Sequence, residues 1–224
     1  MSMPDPAPGR PWAERTLVHL MRHGEVHNPG RVLYGRLPDF HLSELGREMA
    51  QMVADHLADH DISHVVASPL ERAQETAGPL AAHLGVPVRT DSRLVEAGNR
   101  FQGRPVAGGQ NLLSQLGMYR HLYNPFQPSW GEPYSRIAAR MLAAVDDARE
   151  AARGHEIVLV SHQLPVWTAR RALEGRRLWH DPRRRQCTLA SLTTLTYAGD
   201  ELESIAYSEP AAALLPRATG PAGA

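Results

Sequence analysis

Two segments of the chain carry a histidine just after an apolar run of strand length, and in the first of them an arginine precedes the histidine. Arg22 and His23 follow such a run at residues 16–21, and His162 comes soon after another at residues 156–160. A neutral imidazole can attack phosphorus, and the planar guanidinium group of arginine can donate two parallel hydrogen bonds to phosphate oxygens. These residue types therefore favour phosphoryl-group chemistry, provided that the fold brings them to one place.

Two further side chains would complete such a site. Arg72 lies in the first turn of a predicted helix after the apolar run 63–67, and Glu96 lies shortly after a short run at residues 86–89. A carboxylic acid can protonate a departing alkoxide and can then, as a carboxylate, activate the water that hydrolyses a phosphohistidine. Arginine and histidine can stabilise the charge on the transferring oxygens, so we expect neither a metal ion nor a cofactor.

The elements that must position these residues alternate along the chain. Strands are predicted at residues 16–21, 63–67, 86–89, 156–160, 187–197 and 201–207. Helices are predicted at residues 43–57, 69–84, 112–123, 134–152 and 165–173. The alternation predicts an α/β fold, a three-layer α/β sandwich with a mostly parallel central sheet and helices on both faces. Ligands bind at the carboxyl ends of the strands in such sheets, which is where the candidate residues lie.

Cap and turn residues mark two of the element boundaries. Ser68, Pro69 and Glu71 are predicted to begin a helix as N-cap, first-position proline and capping-box glutamate. Gly199 and Asp200 separate the last two predicted strands and indicate a hairpin. The first boundary matters for function because it determines where the arginine in the next helical turn lies.

The chain is predicted to form a single domain at residues 15–208. Residues 1–14 and 209–224 contain proline, alanine and glycine with little periodicity, and we expect them to be flexible tails. Residues 98–133 break the alternation and are predicted to form an irregular functional insertion. Its aromatic and cationic side chains could line a lid over an organic phosphate ester: Phe101, Arg104, Tyr119, Arg120, Tyr123 and Trp130.

Composition excludes several classes of function. All 24 basic residues among the 224 are arginine, which rules out lysine Schiff bases and Walker-type phosphate loops. A single cysteine, Cys187, allows neither an internal disulfide nor a multi-cysteine metal site. The 24 acidic residues balance the basic ones, so we expect no nucleic-acid partner. No apolar run approaches about 18 residues and the start lacks a signal-peptide core, so a cytoplasmic protein without a membrane partner is predicted.

The residues quoted above resemble the motifs of the histidine phosphatase superfamily, also called phosphoglycerate-mutase-like. The stretch 20–25 (Leu-Met-Arg-His-Gly-Glu) is similar to the opening motif of that family, and 68–73 (Ser-Pro-Leu-Glu-Arg-Ala) is similar to its second element. The stretch 160–162 (Val-Ser-His) is similar to its second histidine motif, and Glu96 lies where its proton donor is expected. The resemblance spans roughly residues 16–175, with the motifs in the right order.

This resemblance implies a phosphoglycerate-mutase-like fold and a role for each matched residue. His23 would be the nucleophile, and Glu96 would be the acid and base. The phosphate would be held by Arg22, Arg72 and His162.

Two positions differ from the usual family pattern. Members commonly have a glycine soon after the second histidine, whereas this chain has Gln163, whose backbone N–H could still face the phosphate. The family's opening motif usually carries an asparagine six residues after the nucleophile, whereas Asn28 comes five residues after His23. We expect Asn28, Gln163 and Arg104 to contact the substrate.

The residues after Glu96 help to separate the reactions found in the family. Phosphoglycerate mutases typically have Arg-His-Tyr-Gly there, whereas residues 97–100 are Ala-Gly-Asn-Arg, a pattern that resembles the phosphatases more. We therefore expect a metal-independent phosphatase of the histidine acid type that hydrolyses a small-molecule phosphate ester through a phosphohistidine. The alternatives are a mutase-type phosphotransferase and a non-catalytic module that binds phosphorylated ligands. Three other carboxylates are alternatives for the acid: Glu25, Asp39 and Asp91.

Other histidines and arginines have simpler interpretations. His56 and His60 lie four residues apart, a spacing seen in zinc sites, but the sequence indicates no third ligand and we expect no metal. His19 lies within a predicted strand and is interpreted as a hydrogen-bonded core residue. Residues 170–185 contain seven arginines and are interpreted as a solvated face. The oligomeric state is left open, with a dimer as one option.

Overall fold

The computed structural model describes residues 15–104 and 131–218 of the chain. The predictions for the N-terminal tail at 1–14 and for a helix at 112–123 lie outside the described residues, as do four lid residues: Tyr119, Arg120, Tyr123 and Trp130. Within the described ranges, no helix combines the length and the apolar character that crossing a membrane requires.

A six-stranded sheet forms the centre of the described structure. Its strands are β1 (Arg15–Arg22), β2 (Ile62–Ala67), β3 (Val88–Thr90), β4 (Glu156–Ser161), β5 (Leu192–Ala198) and β6 (Glu201–Ser208). They lie side by side in the order β3-β2-β4-β1-β5-β6. The first four strands in that order run parallel, whereas β5 is antiparallel to both of its neighbours. The predicted α/β fold with a mostly parallel sheet is confirmed.

Two pairs of helices cover the two faces of this sheet. The helices are α1 (Glu44–His56), α2 (Glu71–Leu84), α3 (Tyr134–Ala151) and α4 (Gln163–Leu173). The first pair packs with Met21 and Val160 in one apolar core, and the second pair packs with Leu20 and Leu159 in another. Because neighbouring residues of a strand point to opposite faces, each central strand supplies both cores, and the predicted three layers are confirmed.

The last strand pair differs from its prediction at one end. The hairpin forms as predicted, with Gly199 in the left-handed region at a φ of 61°. β5 begins at Leu192 and not at residue 187, because residues 187–191 form a loop. Cys187 is buried in that loop, and its carbonyl oxygen accepts a hydrogen bond of 2.8 Å from Arg22 Nη1.

Part of the predicted C-terminal tail is packed against the domain. Residues 212–217 form a 3-10 helix, and Leu214 and Leu215 contact the core on the α1 side of the sheet. Arg217 donates hydrogen bonds of 2.6 and 3.2 Å to the two carboxylate oxygens of Glu48 on α1. The structure therefore departs from the flexible tail expected at 209–218, because this segment has apolar side chains to bury.

The predicted capping of α2 is wrong. The helix begins at Glu71, and the residue before it, Leu70, makes no side-chain capping hydrogen bond. The hydroxyl of Ser68 lies 2.8 Å from Nε2 of His162. This serine is thus a contact of the second histidine motif and not the N-cap of the helix.

Two glycines bring the loop after β1 against the start of α1. A Cβ atom on Gly24 would lie 2.5 Å from the carbonyl oxygen of Gly46, and one on Gly46 would lie 2.0 Å from the carbonyl oxygen of Glu25. Ser43 caps α1, as predicted near this residue, by accepting a 2.9 Å hydrogen bond from the N–H of Gly46. This close contact fixes the backbone that carries His23.

Candidate active site

A cavity of about 190 Å³ lies where β1 and β4 end. Four of the residues predicted for the site line it: Arg22, His23, Glu96 and Gln163. Residues from other segments complete its wall, among them Tyr34, Gly35, Asn99, Glu132, Tyr134 and Arg185. The carboxyl edge of the sheet therefore carries the concave site that the fold class predicts.

His23 is oriented by its own loop and is buried, with 2% exposure. Its Nδ1 lies 2.7 Å from the carbonyl oxygen of Gly24. A carbonyl can only accept, so Nδ1 carries the proton and Nε2 presents a lone pair. Burial lowers the pKa of His23 well below its usual range, and the charges of Arg72 and Arg22 lower it further. The imidazole is thus neutral at pH 7, which is the nucleophilic form.

His162 lies beside His23 at the end of β4. The two imidazole centroids are 5.1 Å apart, and His162 is fully buried. Burial lowers the pKa of His162 well below its usual range, with further effects from His23 and Arg72. Nε2 of His162 lies within hydrogen-bond distance of the Ser68 hydroxyl. If Nε2 accepts a hydrogen bond from that hydroxyl, the neutral ring carries its proton on Nδ1. This Nδ1 has no hydrogen-bond partner among the described residues.

Arg22 and Arg72 are the largest fully buried side chains that the structure describes. Neither forms an ion pair with a carboxylate of the described residues, although isolated buried charges are costly. Arg22 donates to the carbonyl oxygen of Cys187, and Arg72 donates to that of Gly35 at 2.6 Å and stacks 4.7 Å from the ring centre of Tyr34. These contacts fix both guanidinium groups but leave part of each without a partner.

Four buried polar atoms of the predicted site lack a hydrogen-bond partner among the described residues. They are Nε of Arg22, Nε and Nη1 of Arg72, and Nδ1 of His162. Native structures rarely leave buried donors unsatisfied without a functional reason. Donors of this kind, on two guanidinium groups without an ion-pair partner among the described residues, fit a small anion such as a phosphate group.

Glu96 is placed on the same cavity by the loop after β3. Its Oε1 accepts a 2.7 Å hydrogen bond from the N–H of Ala97, which holds the carboxyl group in position. Burial raises the pKa of Glu96, whereas that hydrogen bond and the charge of Arg72 oppose the rise. A carboxyl group with a raised pKa is suited to donate a proton near neutral pH.

Arg185 is a cavity residue that the sequence assigned to a solvated face. Its Nε donates to Nε2 of His180 at 2.9 Å, and its Nη1 donates to Oε1 of Gln163 at 3.3 Å. Burial lowers its pKa. Gln163 in turn donates to the carbonyl oxygen of Cys187. Hydrogen bonds thus connect Gln163, which the sequence predicted for the site, with Arg185, which it did not. No local pattern separated Arg185 from its exposed neighbours Arg183 and Arg184.

Four residues predicted for the site are not among those that line the cavity. Arg72 and His162 are fully buried next to lining residues, because Arg72 donates to the carbonyl oxygen of Gly35 and the His162 ring lies 5.1 Å from the His23 ring.

Asn28 and Arg104 make contacts away from the cavity. The side-chain amide of Asn28 closes a turn, because it donates to the carbonyl oxygen of Val32 at 2.8 Å and accepts from the Val32 N–H at 3.1 Å. Arg104 is exposed and lies over the ring of Phe101 at 5.6 Å. The shift of Asn28 by one position from the family pattern agrees with its place in the turn.

The alternative acids are committed to other contacts or lie at the surface. Asp91 accepts hydrogen bonds from Arg93, and a carboxylate oxygen of Glu25 accepts from the Ser43 hydroxyl at 2.6 Å. Asp39 is exposed. Glu96 is therefore the candidate acid with the best geometry.

Comparison with known proteins gives close relatives along most of the chain. It is 59% identical over 199 residues to the protein of Mycobacterium tuberculosis (strain ATCC 25618 / H37Rv) called "Uncharacterized protein Rv0525", covering 89% of this chain and 98% of that protein. It is 31% identical over 186 residues to a "Probable phosphoglycerate mutase GpmB" of Yersinia pestis (strain Pestoides F), covering 80% of this chain and 84% of that protein.

A solved structure supports the same relationship. The mycobacterial glucosyl-3-phosphoglycerate phosphatase Rv2419c superposes with a TM-score of 0.67 at 27% identity, covering 87% of this chain and 96% of that one. The model of the histidine phosphatase superfamily (branch 1) matches residues 18–209, a range that includes every residue predicted for the site. The chain therefore belongs to the histidine phosphatase superfamily.

Proposed function

We propose that this chain is a metal-independent phosphomonoesterase that hydrolyses a small organic phosphate ester through a phosphohistidine on His23. The observation that carries the proposal is the set of unsatisfied donors on Arg22, Arg72 and His162 beside a neutral imidazole. A phosphate dianion would satisfy these donors and compensate the two buried guanidinium charges. The cavity of about 190 Å³ suits a small ester and not a folded macromolecule.

The first step transfers the phosphoryl group to the enzyme. The lone pair on Nε2 of His23 forms a bond to phosphorus, and the bond from phosphorus to the ester oxygen breaks. Glu96 gives its proton to that oxygen, so the product leaves as a neutral alcohol. Arg22 and Arg72 stabilise the charge on the phosphoryl oxygens as the bonds change.

The second step returns the enzyme to its starting state. Glu96, now a carboxylate, takes a proton from a water molecule, and the water oxygen forms a bond to phosphorus. The N–P bond breaks and its electron pair returns to Nε2 of His23. Inorganic phosphate leaves, the imidazole is again neutral, and Glu96 is again protonated.

The second candidate function is a mutase-type phosphotransferase, which would return the phosphoryl group to its substrate. The name of the Yersinia relative favours it, whereas the name of the mycobacterial structural neighbour favours hydrolysis. The sequence after Glu96 favours hydrolysis as well. Product analysis with 3-phosphoglycerate separates the two: release of inorganic phosphate supports the phosphatase, and 2-phosphoglycerate without phosphate release supports the mutase.

The decisive experiment is replacement of the nucleophile. His23→Ala should abolish hydrolysis of p-nitrophenyl phosphate, because among the described residues that line the cavity no other side chain is an imidazole. Wild type quenched during turnover should contain an acid-labile, base-stable phosphoenzyme that the variant lacks. His83→Ala, at an exposed position on α2, is the matched control and should keep wild-type activity. Full activity in His23→Ala would refute the proposal.

A further inference from the structure

A cluster of three metal-ligand side chains lies away from the cavity, toward the amino ends of the strands. It consists of His19 on β1, His60 after α1 and Glu156 at the start of β4, with one ligand atom of each within 4.8 Å of the others. It is the only such group of three or more among residues 15–104 and 131–218. The phosphatase mechanism uses none of these residues.

The three side chains converge on one carboxylate oxygen. Nε2 of His19 lies 2.7 Å from Oε2 of Glu156, and Nδ1 of His60 lies 2.8 Å from the same atom. The other ring nitrogen of His19, Nδ1, lies 2.9 Å from the hydroxyl of Thr194. A histidine held in this way at the nitrogen remote from the cluster is typical of metal ligands, because that contact fixes the tautomer and the ring.

Burial of the cluster is graded from core to surface. The side chain of His19 is 3% exposed, that of Glu156 is 16% exposed and that of His60 is 36% exposed. An ion could thus enter from the His60 side and bind against the buried imidazole. The exposed His56 ring lies 6.1 Å from the His60 ring, near enough to supply a fourth ligand after a rotation of its side chain.

We propose that His19, His60 and Glu156 form a binding site for a divalent transition-metal ion of the Zn²⁺ type, with water or His56 in the fourth position. Two imidazoles and a carboxylate are a ligand set that Zn²⁺ takes, whereas Mg²⁺ and Ca²⁺ prefer oxygen ligands alone. The sequence showed the spacing of His56 and His60 but no third ligand. The fold brings two further ligands to His60, His19 from β1 and Glu156 from β4, which are distant from it in the chain.

The position of the site indicates a structural role. The ion would connect β1, β4 and the segment between α1 and β2, three parts of the fold that meet at the edge of one core. His19 precedes His23 by four residues of extended chain, a separation of about 13 Å. An ion bound there is too far from the reacting phosphoryl group to act on it.

The test is zinc binding by the full chain after treatment with EDTA and dialysis. Competition with a chromophoric zinc indicator should reveal a single high-affinity Zn²⁺ per chain, and a hundredfold excess over the dissociation constant should raise Tm by about 5–10 °C. His60→Ala and Glu156→Gln should lose the binding and the shift in Tm. Because His60 is half-exposed, its variant should fold.

His155→Ala is the matched control. His155 is also an exposed histidine with a carboxylate neighbour, Asp61 at 2.7 Å, but it belongs to no group of three ligands in the described part of the chain. It should bind zinc as wild type does. Absence of tight binding in wild type, or equal binding by wild type and His60→Ala, would overturn the proposal. The rate with p-nitrophenyl phosphate below the unfolding temperature should be the same with and without zinc, so this result is independent of the catalytic proposal.

Discussion

Individual side chains in the cavity acquire their reactivity from their surroundings. His23 is buried and Glu96 is half-buried, and burial disfavours the charged form of each. It lowers the pKa of the imidazole and raises the pKa of the carboxyl group. Both groups are therefore driven toward neutrality, and the proposed mechanism needs these forms at the same pH: an unprotonated nucleophile and a protonated acid.

Replacing Glu96 tests this division of roles. Glu96→Gln keeps the size of the side chain but removes its proton, so alkyl phosphates, which need a protonated leaving group, should react about 10²–10⁴-fold more slowly. The aryloxide group of an aryl phosphate leaves without protonation, so aryl phosphates should still phosphorylate His23 in this variant. Hydrolysis of the phosphohistidine, however, lacks its general base. Rapid-quench experiments with p-nitrophenyl phosphate should therefore show a burst and an accumulated phosphoenzyme.

The pH dependence of the first step provides a second readout for the same residue. In wild type, phosphorylation by alkyl phosphates should slow as pH rises through the raised pKa of Glu96, because the acid loses its proton. This basic limb should be absent in Glu96→Gln. Equal slowing of phosphorylation with alkyl and aryl phosphates would remove Glu96 from the acid role.

Strand ends were predictable from the sequence, whereas contacts between loops were not. The apolar runs before Arg22 and His162 define buried parallel strands, and the sheet then brings the residues after them together. Ser68 accepts a long hydrogen bond of 3.4 Å from the N–H of Leu70, but α2 begins only at Glu71 and the shorter contact of this serine, 2.8 Å, is with His162. Arg185 could not be distinguished from the arginines beside it, because its burial depends on His180 and Gln163, which only the folded chain brings close.

The contact between the β1 loop and α1 gives a prediction at the scale of elements. Alanine normally stabilises a helix relative to glycine, but Gly46→Ala would put its Cβ 2.0 Å from the carbonyl oxygen of Glu25. We expect a net loss on the order of 1–3 kcal/mol in unfolding free energy, together with a lower kcat because the backbone carrying His23 must move. Urea unfolding and the rate with p-nitrophenyl phosphate measure the two effects.

A glycine elsewhere in the helical layer serves as the control. Gly78 lies within α2 directly before Pro79, and a Cβ there would meet nothing within 4 Å outside its two chain neighbours. The gain in helix propensity, about 0.5–1 kcal/mol, is offset by contact of the new Cβ with the ring of Pro79, so Gly78→Ala should change stability little and leave kcat unchanged. If Gly78→Ala lowered stability and kcat as much as Gly46→Ala, the close approach of the β1 loop to α1 would not be the cause.

For the molecule as a whole, the candidate active site is a source of instability that the rest of the fold offsets. Two apolar cores on opposite faces of the sheet stabilise the fold, and hydrogen bonds to the carbonyl oxygens of Cys187 and Gly35 hold the buried Arg22 and Arg72 in place. These side chains are buried without an ion-pair partner among the described residues, and such charges destabilise a fold. In the proposed phosphatase, binding of a phosphate dianion would offset the destabilisation caused by the two buried guanidinium charges.

This argument predicts how anions change the stability of the whole domain. Phosphate or vanadate at a hundredfold excess over the dissociation constant should raise the Tm of wild type by about 5–10 °C, and vanadate should inhibit competitively. Arg72→Met replaces the buried cation with an apolar side chain of similar length, so its Tm without anion should not fall below that of wild type. The variant should lose most of the anion-induced shift and of the activity. A shift of equal size in both proteins would mean that the anions act generally on the surface, and that Arg72 does not bind the phosphoryl group.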